Sequence, residues 1–169
     1  DWYQAVERYR YDDYAPWMPE VMEFREHKDE KVLEIGGGLG TDLAQFAKNG
    51  AHVTDVDFSV GHLRHAQQNF TCRGLSGDFY VGDAEALPFP DNSFDLVYTN
   101  GVIHHTPQTQ TVIDEIFRVL KPGGKVICMV YAQNSMNFWL NIFFWYGIRR
   151  GEILNHSVNE IMSREVEVS

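Results

Sequence analysis

The chain has 169 residues, 44% of them hydrophobic, enough for one ordinary domain with a sizeable core. Its 24 acidic and 14 basic residues leave a formal net charge of −10, which repels phosphate backbones and anionic headgroups and argues against nucleic acid as a partner. Cys72 and Cys128 stand in unrelated contexts without metal-type spacing, and no apolar run reaches about 18 residues, so the expectation is a cytoplasmic chain with reduced thiols, no metal and no transmembrane segment.

The chain begins at Asp1, without methionine or signal peptide, and is expected to be trimmed. Residues 1–30 read as a helical cap broken by Pro16 and Pro19. Its Trp2, Tyr3, Tyr9, Tyr11, Tyr14 and Trp17 either cover a ligand or pack as an amphipathic helix. Five short apolar runs rich in β-branched residues then read as strands, at 31–35, 52–57, 78–81, 94–99 and 125–131. Helices are expected at 41–49, stopped by Gly50, and at 59–70, with Ser59 as N-cap. A third, at 107–120, carries Val112, Ile113, Ile116, Val119 and Leu120 on one stripe and stops at Lys121-Pro122-Gly123-Gly124. Near-continuous hydrophobicity, as in VICMV, is the pattern of parallel strands buried on both faces. Strand–helix alternation over 31–131 predicts right-handed βαβ units and a doubly wound α/β domain.

The first strand runs into a glycine turn, VLEIGGGLGTD. A triphosphate-binding loop needs a lysine and a hydroxyl after its last glycine, and Gly40 is followed by Thr41-Asp42. A dinucleotide turn wants G-x-G-x-x-G, but Thr41 falls at the third glycine position after Gly36 and Gly38. Glu34 discriminates further: a carboxylate there repels a pyrophosphate and favours a cation. S-adenosyl-L-methionine carries an ammonium and a sulfonium and no phosphate. In VTDVDFS, Asp57 ends the second strand about 20 residues past the glycines, where a carboxylate can take both ribose hydroxyls. Asp55 shares its face by period two and reads as a solvated or N-capping carboxylate. Asp83 follows the third strand, where it could accept a bond from an adenine amino group or cap a helix.

VLEIGGGLG, VTDVDFS, GDAEALPFPDNSFDLVY, GVIHH and EIFRVLKPGGKV, in this order and spacing, resemble the class I S-adenosylmethionine-dependent methyltransferases, and most closely the group that includes the ubiquinone and menaquinone biosynthesis enzymes. The resemblance covers about 100 residues, 31–131. It implies a Rossmann-like, mostly parallel sheet of strand order 3-2-1-4-5 with flanking helices, and S-adenosyl-L-homocysteine as product. It places Glu34 by the methionine portion, and the backbone of Gly36, Gly37, Gly38 and Gly40 beneath it, where a Cβ would collide. Asp57 would bind the ribose, with Phe58 beside the adenine, and Asp83 and Ala84 bracketing that ring. Asn100 would face the donor methyl region.

Methyl transfer is an in-line displacement on an already activated cofactor, so the protein mainly aligns the acceptor and excludes water. His104 and His105, just past the fourth strand, are the candidate general bases. Loop packing, or for His104 lining of the cofactor pocket, is the competing reading. No Asn/Asp-Pro-Pro-Tyr motif or Pro-Cys nucleophile follows the fourth strand, which with the acidic charge favours a small hydrophobic or aromatic acceptor.

The family's fold closes with a hairpin beside the fifth strand, yet only 38 residues follow Tyr131, with one short alternating run, EVEVS. A naked fifth-strand edge invites aggregation. Truncation is the preferred explanation, with the tail or a second copy in a homodimer as cover. Residues 132–169 then form an aromatic helical tail, whose 135–154 stretch serves as core or oligomer contact, acceptor lid, or peripheral lipid contact aided by Arg149-Arg150. Two rivals to a methyltransferase remain: a non-catalytic cofactor-binding module, and an NAD(P)-dependent oxidoreductase.

Overall fold

The computed structural model describes residues 2–130 and 154–155. The chain divides into two units, Asp1–Val130 and Tyr131–Ser169, and every element below belongs to the first. The expected aromatic tail, its lid or lipid role and any closing hairpin therefore lie outside the described residues.

Helix α1 (Trp2–Arg8) continues through a π-helical stretch, Tyr9–Tyr14, into the single turn α2 (Met18–Val21), which Pro19 opens. There follow β1 (Lys31–Ile35), α3 (Thr41–Lys48), β2 (His52–Asp57), α4 (Val60–Arg73), β3 (Asp78–Val81) and β4 (Phe94–Asn100). A 3₁₀ turn (Ile103–His105), α5 (Thr109–Val119) and β5 (Leu120–Met129) complete the unit. The strands form one parallel sheet of order β3-β2-β1-β4-β5, the doubly wound arrangement the resemblance implies. The order reverses between β1 and β4, which opens a crevice at their carboxyl ends.

Period-two alternation sends opposite sets of side chains to the two layers. Val32, Val53, Leu96 and Tyr98 pack with Phe24, Phe46 and Tyr11 on one face. Leu33, Ile35, Val56 and Val97 pack with Val112, Ile116 and Val119 of α5 on the other. By the same alternation Glu34 and Asp55 belong to the first face. Ser59 caps α4 by accepting the His62 N–H at 3.3 Å, and Gly74 ends it in the left-handed region.

The fifth strand differs from expectation. Leu120 already pairs with Phe94, and the Lys121–Gly124 stretch bulges before Lys125 resumes pairing opposite Leu96. Burial on both faces holds for β1, β2 and β4, but Val126, Ile127 and Met129 are half-buried and Cys128 exposed, because β5 is an edge of the described sheet. Among the described residues no helix is long and apolar enough to cross a membrane.

Candidate active site

The turn between β1 and α3 is built against the protein on one side and open on the other. A Cβ on Gly36 would meet the Val102 methyls at 2.6 and 2.8 Å, and one on Gly37 would meet both Asp55 oxygens at 2.7 Å. Gly38, at φ +56°, has nothing within 4 Å of that position. The collision expected with a ligand at every glycine is thus, at Gly36 and Gly37, a collision with Val102 and Asp55, and only Gly38 presents bare backbone to open space.

Carboxylates surround this turn. Glu34, next to last in β1, is almost fully buried, and its Oε2 has no hydrogen-bond partner. Burial raises its pKa well above the usual carboxylate range, Asp42 and Asp55 raise it further, and Arg10 and the Leu43 N–H oppose them. Asp55 is its register partner on β2 and is fully buried. It is neither solvated nor a helix cap, because the glycine turn folds over it and the Gly37 N–H donates to its Oδ1 at 3.1 Å. Burial pushes Asp55 up to about 7; the Gly37 bond lowers it, Asp57 raises it and His62 lowers it.

Asp57 accepts from the backbone N–H of Gly38 at 3.3 Å and of Ser59 at 2.7 Å, and its Oδ2 lies 3.1 Å from His62 Nδ1. The predicted ribose carboxylate therefore also ties the glycine turn to the start of α4. Phe58 beside it is 83% exposed, an isolated aromatic face at the crevice. Gly82 N–H donates to the Asp57 carbonyl at 3.2 Å, which brings the β3 exit alongside. Asp83, next in the chain, accepts the Glu85 N–H at 2.9 Å, and Ala84 packs partly buried against the α5 layer.

Asn100 closes β4 and donates to Asp42 Oδ2 at 3.3 Å and to the Tyr98 hydroxyl at 3.1 Å. Asp42, in the first turn of α3, is a hub that sequence reasoning passed over. It takes Arg10 Nε and Nη2 at 2.6 Å each, and the hydroxyls of Tyr11 at 2.5 Å and Tyr98 at 2.7 Å. Burial, then the Asp42 charge, holds both tyrosine hydroxyls far above their ordinary range. Burial works against the Arg10 charge, but the Asp42 bonds outweigh it and its pKa rises. An acidic residue one position inside a helix after a glycine turn was the available signal; its partners from β4 and the amino-terminal segment were not visible from spacing.

His104 and His105 occupy the 3₁₀ turn after β4, with ring centroids 4.0 Å apart; His105 is exposed and His104 half-buried. Val102, packed on Gly36, sets that turn beside the glycine turn. Among the described residues no group of three or more His, Cys, Asp and Glu side chains could hold a metal ion. A cofactor here would meet the bare backbone of Gly38, the exposed Phe58 ring and a buried carboxylate with an unpartnered oxygen. That donor set suits an adenosine bearing positive charge and is unsuited to a pyrophosphate.

Comparison with known proteins agrees with this chemistry. Residues 33–128 match a family model described as a methyltransferase domain. The chain is 32% identical over 120 residues to demethylmenaquinone methyltransferase of Streptomyces avermitilis, covering 71% of this chain and 50% of that protein. It is 42% identical over 100 residues to sterol 24-C-methyltransferase of Neurospora crassa, covering 57% and 26% respectively. A solved SAM-dependent methyltransferase from Methanosarcina mazei superposes with TM-score 0.64 at 26% identity, over 77% of this chain and 66% of that one. The chain spans about half the length of the curated relatives it matches.

Proposed function

The chain belongs to the class I S-adenosylmethionine-dependent methyltransferases, and from that premise we propose that it binds S-adenosyl-L-methionine over the glycine turn and methylates a small hydrophobic acceptor. The observation that carries the reading is Glu34: a buried carboxyl with an unpartnered oxygen, next to last in β1, offers a ligand ammonium a charge and hydrogen-bond partner. Glu34 receives the charged methionine portion, Gly36 to Gly40 line its path and Asp57 holds the ribose. Phe58, Asp83 and Ala84 contain the adenine, and Asn100 faces the reacting end.

When bound, the cofactor supplies a methyl group already activated on a sulfonium. The chain's task is then alignment, exclusion of water and removal of a proton where the acceptor atom bears one. His104 or His105, at the carboxyl edge of β4, takes that proton on a ring nitrogen. A hydrophobic acceptor is supported by the two relatives, one named for demethylmenaquinone and one for a sterol.

Calorimetric titration with S-adenosyl-L-homocysteine and with NAD tests the assignment. Wild type should bind the first and not the second. Asp57→Ala should lose roughly tenfold or more in affinity, as expected for a charge-assisted hydrogen bond. Binding of NAD alone would overturn the cofactor, and unchanged affinity in Asp57→Ala would remove its ribose role. Binding without methyl transfer to any quinol or sterol acceptor would favour the non-catalytic module.

A further inference from the structure

Asp55 is more than a prop beneath the glycine turn. Glu34 and Asp55 stand opposite each other on adjacent parallel strands, at the same register and on the same face of the sheet. Both are buried, at 3% and 0% exposure, and each keeps one carboxylate oxygen, Glu34 Oε2 and Asp55 Oδ2, with no hydrogen-bond partner. The neighbouring basic side chains are engaged elsewhere: Arg10 is held bidentately by Asp42, and His62 lies against Asp57.

From α3 the pair meets the Asp42 charge and the Leu43 N–H, and from the glycine turn the Gly37 N–H. From β2 and α4 Asp57 and His62 act on Asp55. Arg10 acts on Glu34 from the amino-terminal segment, and Tyr98 of β4 stands at register with it, its hydroxyl committed to Asp42. Two buried carboxyls at paired register positions resist ionising together.

We propose that Asp55 is a positioning residue of the cofactor subsite, which forms with Glu34 a proton-sharing pair that gives up its proton to solvent when a ligand's ammonium group arrives. The free pair carries one negative charge and one O–H. The bound pair carries two negative charges, one of them answered by the ligand's ammonium, and the proton leaves to bulk. Binding of the ligand's ammonium is thereby exchanged for release of a proton, and the Gly37 N–H, held by Asp55, keeps the turn in place through the exchange. This rests on the cofactor assignment made above.

The test is titration of S-adenosyl-L-homocysteine into the full chain at pH 7, in phosphate and in Tris, whose ionisation heats differ widely. The difference in apparent heat should correspond to release of roughly half to one proton per ligand, and affinity should tighten several-fold between pH 6 and 8. Asp55→Asn should bind with less proton release than wild type and a flatter pH dependence. In wild type, the infrared carbonyl band of a protonated carboxyl should disappear on ligand addition, a readout that does not depend on the variant folding. Binding with equal heats in both buffers, equal proton release in Asp55→Asn, or an unchanged infrared band would each overturn the proposal. Absence of any S-adenosyl-L-homocysteine binding would instead overturn the cofactor assignment beneath it.

Discussion

Adjacent glycines in the turn serve opposite purposes, and substitution should separate them. Gly37→Ala drives a methyl into a buried carboxylate at 2.7 Å, and neither Asp55 nor the strand behind it can retreat. It should cost about 1–3 kcal/mol of stability, read as a lowered melting temperature. Gly38→Ala meets no protein atom and bears only left-handed backbone strain, on the order of 1 kcal/mol. It should fold and melt within a few degrees of wild type while losing most affinity for S-adenosyl-L-homocysteine, if the ligand takes the proposed path over Gly38. Equal affinity in Gly38→Ala would mean that the ligand takes another path. That Glu34, the glycines and Asp57 meet at one edge of the sheet was legible because each belongs to a short local pattern; their roles toward a ligand belong to the proposal. Asp55 was misread as solvated, since period two reports which face a residue takes and not what folds over that face.

At the scale of elements, local signals fared best where they are strongest. The bounds of β1, β2 and β3 follow from β-branched runs closed by Gly or Asp, and the core stripe of α5 follows from its 3.6-residue period. The β5 start was hidden by Pro122 and the glycines, which read as a turn and form a bulge. The amino-terminal segment was legible as helix but not in its attachments. Glu7 accepts from Lys48 of α3 and Arg73 of α4, and Arg10 and Tyr11 reach Asp42, all contacts of long sequence separation. Its aromatic cluster consequently splits, with Tyr3 and Tyr11 buried and Trp2, Tyr9, Tyr14 and Trp17 exposed. These attachments are unequal. Asp42→Ala leaves a guanidinium and two buried hydroxyls unanswered and should cost about 3–5 kcal/mol in denaturant melts. Removing the half-exposed Lys48 partner by Lys48→Ala should cost about 0–1 kcal/mol. Similar costs for the two would show that Asp42 is not the anchor of this segment.

For the whole molecule, two populations of acids pull stability in opposite directions as pH changes. Burial works against Glu7 and Asp95, yet bonds from Lys48 and Arg73, and from Lys121 and the Lys31 N–H, hold both below the usual carboxylate range. Lys125 and Arg118 do the same for Glu23 and Glu115. A depressed carboxyl binds fewer protons folded than unfolded, so its contribution is present above about pH 4–5 and fades as pH falls further. Glu34 and Asp55 behave oppositely, because burial makes the folded state hold their protons more tightly. Their contribution is complete below about pH 4, the ordinary unfolded carboxyl range, and for Asp55 is lost by pH 8, as pH rises through about 7. The penalty for Asp55 across that window is on the order of 2–4 kcal/mol. Self-repulsion at a net charge of −10 adds to the loss on the alkaline side. Thermal stability should therefore peak near pH 5, well below neutrality, and fall toward both pH 4 and pH 8. Asp55→Asn should flatten the alkaline limb and leave the acid limb in place, since the salt-bridged acids are untouched. Melting temperatures measured from pH 4 to 9 on both proteins decide it: a wild-type curve still rising from pH 6 to 8 would show that the buried acids stay ionised in the fold, and the peak would then belong to the surface pairs alone.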